Sequence, residues 1–347
     1  MVGNIATVIG GQYGSEGKGV VVNHLANQYD VHVRVGGPNA GHSFCHNHRV
    51  YKMQCIPCGW TNPRAKLVIG AGAYISLERL HTEICTISMV DPTIKNRLFM
   101  DENTVFISDT HKQYEAGLKG SIGSTGEGVG AARIHRVMRD PRNLVFAKSM
   151  VNTLKELGVR VIDTVEMMWK NRKSGYDILV EGTQGAGLSL IHGPWPYATS
   201  TDVSAAQLLA DSGLPIRGTK TIMVIRTFPI RVAGNSGPLK DELTWDELSR
   251  ELGTPVLEKT TVTGNIRRVG RFDKHLVWDS VMRNEPDEFA VTFMDYIEPC
   301  DRGAEKWGDL SGPSKNFIIG IEQEYNIPVT MIGTGWRDGY GWQIIKR

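Results

Sequence analysis

The stretch Gly10-Gly11-Gln12-Tyr13-Gly14-Ser15-Glu16-Gly17-Lys18-Gly19 follows an apolar run, Ile5 to Ile9, and leads into Lys18 to Gln28, where Val21, Val22 and Leu25 recur at helical spacing. That is strand, glycine loop, helix. Glycine admits positive φ and lets backbone N–H groups crowd an anion, and the helix start adds its dipole, so the arrangement predicts a phosphate site. It departs from the regular P-loop spacing. Five residues instead of four separate Gly11 from Gly17-Lys18, and Gly19 stands where a Mg²⁺-binding hydroxyl residue belongs.

The arrangement returns along the chain. Val31 to Val35 runs into Gly36-Gly37-Pro38-Asn39-Ala40-Gly41-His42-Ser43, and strand-like runs meet glycine again at Leu67 to Gly70 and Ile178 to Gly182. Glycine supplies 39 of the 347 residues, against roughly 24 at an average usage of about 7%. Repeated units of this kind predict an α/β fold, with a mostly parallel central sheet, P-loop-like glycine loops at one end and helices on both faces. Helices are expected at Leu77 to Met89, at Val203 to Asp211 with Asp202 as cap and Gly213 as stop, at Trp245 to Leu252 behind a Thr244/Glu247 capping box, and at Ser314 to Tyr325. Further strands are expected at Thr221 to Phe228, Glu288 to Phe293 and Val329 to Ile332. No repeat or linker interrupts the chain, so residues 1–347 are expected to form one domain with small embellishments.

Charge narrows the partners. With 39 basic and 37 acidic side chains the net charge is +2, too balanced for a nucleic-acid polyanion as main partner, so phosphate recognition should be local. Five cysteines, odd in number and sparse, fit reduced thiols. The chain shows no basic leader and no apolar run of membrane-spanning length, and a cytoplasmic protein is expected. His42, Cys45, His46, His48, Cys55 and Cys58 invite a zinc reading as well. Against it, Cys55-Ile56-Pro57-Cys58 is the only CxxC and the histidines crowd one hairpin, whereas structural zinc wants two ligand pairs across a loop.

Two loops carry further chemistry. Histidine suits a general acid near neutral pH, and His42 stands beside Asn39 and Gly41. Ile122 to Gly130 sets Ser124 and Thr125 among glycines, a combination suited to a monophosphate. Arg133, Arg136 and Arg139 follow at helical spacing and read as a solvated basic face.

GGQYGSEGKG, GGPNAGHS, IGSTGEGVG, VEGTQG, PYATST, TVTGNIRRVG, TFMD and the late IGTG stand in the order and spacing of the adenylosuccinate synthetases, and the chain resembles a short form of that family across nearly its whole length. The resemblance implies a ligase that joins L-aspartate to C6 of a purine nucleotide, using a nucleoside triphosphate and Mg²⁺. It implies that Ser15, Lys18 and His42 are catalytic, and that Gly14, Glu16, Gly17, Lys18, Gly19, Gly41, His42, Arg267, Asp295, Gly333, Thr334 and Gly335 hold the triphosphate. Ser15, Asn39, Ala40, Ser124, Thr125, Gln184, Thr199 and Asn265 would then contact the substrate nucleotide, and Arg139 would reach it across a homodimer. Thr261, Val262, Thr263, Gly264 and Arg267 would receive aspartate, and Ser15 and the Gly41 backbone would stand at the metal. A nucleotide-binding regulatory module that kept the loops and lost turnover is the rival of a different class.

Three departures sharpen the expectation. Ser15 stands where ordinary members have an aspartate that ligates Mg²⁺ and takes the N1 proton, and a serine leaves room for an amino group at C2 of the purine. The resemblance is therefore closest to the phage-type 2-aminoadenylosuccinate synthetases, which act on dGMP, with ordinary synthesis from IMP and GTP as the alternative. Asn265 replaces an arginine near the ribose, which suits a 2′-deoxyribose. Phe293 replaces the lysine of the guanine-recognising segment while Asp295 remains; the aspartate would favour GTP, whereas the missing lysine and the phage-type resemblance allow ATP or dATP, which is the expected triphosphate.

Overall fold

Side chains along Ile5–Gly10 alternate between two cores, and that alternation explains the layering. Ala6 and Val8 pack with Val21, Val22 and Leu25 of the helix Lys18–Leu25 on one face of the sheet. Ile5 and Ile9 pack on the other with Leu208 and Leu209 of the helix Ala205–Ser212. Burial on both faces is what a parallel strand covered by crossover helices requires. The computed structural model describes residues 1–260, 264–338 and 340–347.

The ten-stranded sheet runs Val159–Ile162, Leu98–Asp101, Lys66–Ile69, Val31–Arg34, Ile178–Glu181, Ile5–Gly10, Thr219–Arg226, Glu288–Thr292, Val329–Arg337, Gly341–Lys346. Every pairing is parallel except the last. The first strand in the sequence thus lies centrally, and the crevice outside the carboxyl ends of the middle strands is where ligands bind in such folds. A smaller core of Phe228, Ile230, Trp245, Leu248, Val269 and Tyr296 lies under a three-stranded antiparallel sheet and the helix Trp245–Leu252.

Several boundaries differ from the sequence expectations. Ser204, not Asp202, caps the helix Ala205–Ser212, because Asp202 spends its carboxylate on the hydroxyls of Ser189 and Ser204. The first helix ends at Leu25 and tightens into a 3₁₀ turn, Ala26–Gln28. The strands Leu98–Asp101, Val159–Ile162 and Gly341–Lys346 were not foreseen; the first two have four residues each, too few to display a period. Arg133 and Arg136 are not a solvated face. Arg133 pairs with Asp211 at 3.5 Å and lies 5.0 Å from the centre of the Tyr74 ring, while Arg136 donates to the Ala71 carbonyl at 3.1 Å. Among the described residues no helix is long and apolar enough to cross a membrane.

Candidate active site

Three glycine loops meet at the carboxyl edge because the strands they follow, Ile5–Gly10, Val31–Arg34 and Ile178–Glu181, are neighbours in the sheet. In the first loop the Glu16 carboxylate accepts from the Gln12 and Gly14 N–H groups at 3.1 and 2.8 Å and pairs with Lys18 at 2.5 Å, all buried. Gly10 makes room for this, since a Cβ there would lie 2.5 Å from the Glu16 carboxylate and 2.7 Å from the Lys18 amine. Glu16 is fully used by the loop itself. Lys18 is held by that carboxylate at the start of a helix whose cap, Gly17, takes φ 88°.

The second constellation comes from sheet register. Arg34 and Glu181 lie opposite each other on adjacent parallel strands, on the face that also carries Leu179. Their side chains form a buried ion pair, and Glu181 also meets His42 Nδ1 at 2.5 Å, the Cys58 N–H at 2.7 Å and the Cys58 thiol at 3.1 Å. Arg34 also donates to the Ala40 carbonyl at 2.8 Å, which ties the second glycine loop to the sheet. Burial opposes ionisation of Glu181, but Arg34, His42 and the Cys58 N–H overcome it and hold the carboxyl down at about 2. Burial, then the Arg34 charge, push His42 down to about 4. The imidazole is therefore neutral at rest, donating from Nδ1 to Glu181 and leaving Nε2 as a base, so an acid role requires that it first gain a proton.

A linkage prediction follows. His42 has a lower pKa in the folded chain than its unfolded value of about 6.5, so its contribution to stability is complete above that pH and is lost as pH falls toward about 4. The stability advantage of the wild type over His42→Gln should shrink across that window in denaturant melts. An advantage that stays constant from pH 7 to 4 would show that the imidazole is not buried neutral.

The same cluster disposes of zinc. Among the described residues, His42, Cys58 and Glu181 bring their ligand atoms within 4.8 Å of one another. The Arg34 guanidinium already lies among them, paired with Glu181, 3.1 Å from His42 Nδ1 and 3.9 Å from the Cys58 sulfur, and excludes a second cation. Cys45 and His46 are not part of the group, and His46 packs edge-on against Trp60.

The third constellation surrounds Ser15, whose backbone takes φ 58°. Its hydroxyl accepts from the Arg267 guanidinium and its carbonyl accepts from Arg226 at 3.0 Å. Arg226 is fully buried, paired with Glu258, and lies 3.8 Å from the centre of the Phe293 ring. Burial pushes Arg267 down to about 10. Arg226 is paired with Glu258, whereas among the described residues Arg267 donates only to the Lys259 carbonyl and the Ser15 hydroxyl, which leaves its charge for an anionic ligand.

Of the other residues expected from the sequence, Asn39, Ser124, Thr125, Gln184 and Thr199 are half-buried, and Ala40 is buried. Gln184 takes φ 64°. The Ser124 hydroxyl accepts from the Gly126 N–H at 3.1 Å, and Glu115 occupies the Gly128 and Ala131 N–H groups, so the start of the helix Val129–Met138 is filled by the protein's own carboxylate. Arg139 is exposed at the end of that helix. Asn265 is exposed, with its backbone N–H donating to the Thr260 hydroxyl at 3.0 Å, and Gly264 is exposed beside it. Thr261, Val262 and Thr263 lie outside the described residues. Asp295 is buried against Gly335, accepts from Arg302 at 3.2 Å and is pushed up to about 6 by burial. Thr334 turns its hydroxyl to the Ala304 carbonyl at 2.9 Å, leaving its backbone as what it can offer a ligand.

Arg34, Glu181, Arg226 and Glu258 were absent from the sequence expectations. Glu181 lies directly before the first glycine of VEGTQG and Arg34 two residues before that of VRVGG, which was the available signal.

Nested glycine loops over a doubly wound sheet, with buried lysine and arginine pairs and a carboxylate-held histidine, define a protein built to handle phosphorylated ligands. The family model for adenylosuccinate synthetase matches residues 7–146 and 142–302. The adenylosuccinate synthetase of Pyrococcus horikoshii is 37% identical over 335 residues, covering 94% of this chain and 95% of that one, and that of Methanocaldococcus jannaschii is 36% identical, covering 94% and 93%. The chain belongs to the adenylosuccinate synthetase family, which are carbon–nitrogen ligases. Among solved structures it is similar to the cyanophage S-2L succinoaminodeoxyadenylate synthetase bound to dGMP and dATP as an energy donor, with TM-score 0.81, 29% identity, and 99% and 95% of the two chains covered. The fully ligated adenylosuccinate synthetase of Plasmodium falciparum shares the fold, with TM-score 0.85 at 20% identity and 99% and 100% covered.

Proposed function

We propose that this protein joins L-aspartate to C6 of dGMP at the expense of a nucleoside triphosphate, giving 2-amino-2′-deoxy-N6-succinyladenylate. The observation that carries the choice of purine is Ser15. Its hydroxyl, accepting from Arg267, keeps one lone pair for the C2 amino group of guanine, where an aspartate would crowd that edge. The similar cyanophage enzyme, bound to dGMP in its structure, supports this reading. The archaeal relatives support the second reading, ordinary synthesis from IMP.

In the reaction O6 of the purine attacks the γ-phosphorus, the nucleoside diphosphate leaves, and N1 gives up its proton to water. The aspartate amine then adds to C6, phosphate departs with the former O6, and the amine loses a proton. Charge building on O6 and the phosphoryl group draws a proton from water onto His42 Nε2, and Glu181 stabilises the imidazolium through Nδ1. Lys18 exchanges Glu16 for triphosphate oxygens, and Arg267 takes an aspartate carboxylate. Arg139 of a second copy would reach the monophosphate.

The donor set fits Mg²⁺ only in part. The Gly41 carbonyl offers a hard oxygen, whereas Glu16 is consumed by the loop and the Ser15 hydroxyl faces a guanidinium. Such an ion would rest mainly on Gly41 and phosphate oxygens, where it neutralises the transferring phosphoryl group. At the triphosphate base, one Asp295 oxygen is buried with no hydrogen-bond partner among the described residues and suits an amino donor of the base; Phe293, in place of a lysine, favours ATP or dATP.

A matrix of IMP, GMP and dGMP against ATP, dATP and GTP, with aspartate-dependent phosphate release as readout, tests the proposal. The highest kcat/KM is expected for dGMP with ATP or dATP. Equal values for GMP and dGMP would remove the deoxyribose part, and phosphate release independent of aspartate would remove the ligase.

A further inference from the structure

Glu83, on the helix Leu77–Ser88, lies outside every loop discussed above, yet it is buried and its carboxylate gathers three consecutive backbone N–H groups. Gln54 donates to it at 2.6 Å, Ile56 at 2.9 Å, and Cys55 lies 3.2 Å from both oxygens. Three donors converging on one carboxylate, those of Cys55 and Ile56 buried and that of Gln54 half-buried, fix the 54–56 backbone, because the buried ones would be left unsatisfied without it.

That backbone leads to the reacting groups by three routes. Met53, just before it, pairs with His42 in the two-stranded sheet of His42–His46 and Arg49–Met53. The Gln54 side chain donates to the Pro38 carbonyl, inside the loop that carries Asn39, Ala40 and Gly41. Cys58, just after it, donates its N–H to Glu181, which holds His42.

We propose that Glu83 is a positioning residue for the ligase reaction: it sets the 54–58 backbone and so fixes the Asn39–His42 loop and the Glu181–His42 contact. The inference rests on the ligase reading for its kinetic consequence only, because the placement of His42 is observable in the free protein. The groups facing Glu83 are Arg34 from the strand Val31–Arg34, the thiols of Cys55 and Cys58, and Arg79 of its own helix, which acts on Cys55. Burial pushes its carboxyl up to about 7 against the opposing N–H groups and Arg34. Protonation would set an O–H against three N–H donors, so the wild type should lose kcat as pH falls through that value.

The test is Glu83→Gln, of nearly the same shape and permanently neutral, with Gln54→Ala as a milder second variant. Misplaced reacting groups are expected to lower kcat in Glu83→Gln by about tenfold to a hundredfold, with KM for aspartate changed by less than about twofold. Its pH profile should lack the wild-type acid limb near 7. Nitrogen-15 spectra of the imidazoles should show His42 shifted in both variants. Folded variants with wild-type kcat and unshifted His42 resonances would overturn the proposal, and if Glu83→Gln does not fold, Gln54→Ala decides on the same two readouts. A wild type that turns over no purine nucleotide would refute the ligase reading, while the His42 spectra would still judge Glu83.

Discussion

Ser15→Asp is expected to reverse the purine preference, lowering kcat/KM for dGMP by about 100-fold while raising it for IMP. The substitution is sterically mild, since φ 58° at this position is a conformation that aspartate visits almost as readily as asparagine. Electrostatically it is large. A carboxylate would take the Arg267 guanidinium that now donates to the serine hydroxyl, and would meet the C2 amino edge of guanine. It would also supply the N1 base that a hydroxyl replaces poorly. Ser15→Ala separates the two effects, because it removes the hydroxyl without adding a base. It should weaken dGMP without improving IMP. Parallel loss of both substrates in Ser15→Asp would mean that position 15 does not read the purine.

Glu181→Gln should cost the most among substitutions that leave the loops intact, lowering kcat by about 10² to 10³-fold with smaller changes in KM. Glu181 holds the Nδ1 side of His42, so the amide removes the charge that would stabilise a protonated ring. The same change leaves Arg34 buried without its counter-ion. Breaking a buried pair by removing one partner destabilises a fold by about 3–5 kcal/mol, so denaturant melts should accompany the kinetics. If kcat stays within a factor of about three of wild type in folded Glu181→Gln, His42 does not rely on that carboxylate.

What was legible in the sequence was local. The turns at Gly10 to Gly19 and Gly36 to His42 announce themselves because glycine and the preceding apolar run are adjacent in the chain, and the sheet brings both loops to one edge. The capping box at Thr244 and Glu247 was readable for the same reason. The Arg34–Glu181 pair was not, because it depends on the register of two strands that are distant in sequence. Arg226 and Glu258 likewise meet only when the end of a central strand and the segment between the helix Trp245–Leu252 and the strand Arg268–Gly270 are folded together. Glycine density also could not say that Glu16 and Glu115 fill anion-binding N–H groups with the protein's own carboxylates. The zinc reading failed on a cation that sequence spacing does not display, since Arg34 is drawn into the cluster by the sheet.

The most direct measurement is the ratio of kcat/KM for dGMP to that for IMP, taken side by side with saturating aspartate and ATP. A pocket shaped by Ser15 predicts a ratio well above one, with the aspartyl adduct of the 2-amino nucleotide as product by mass. A ratio below one would contradict the account and return this chain to ordinary adenylosuccinate synthesis.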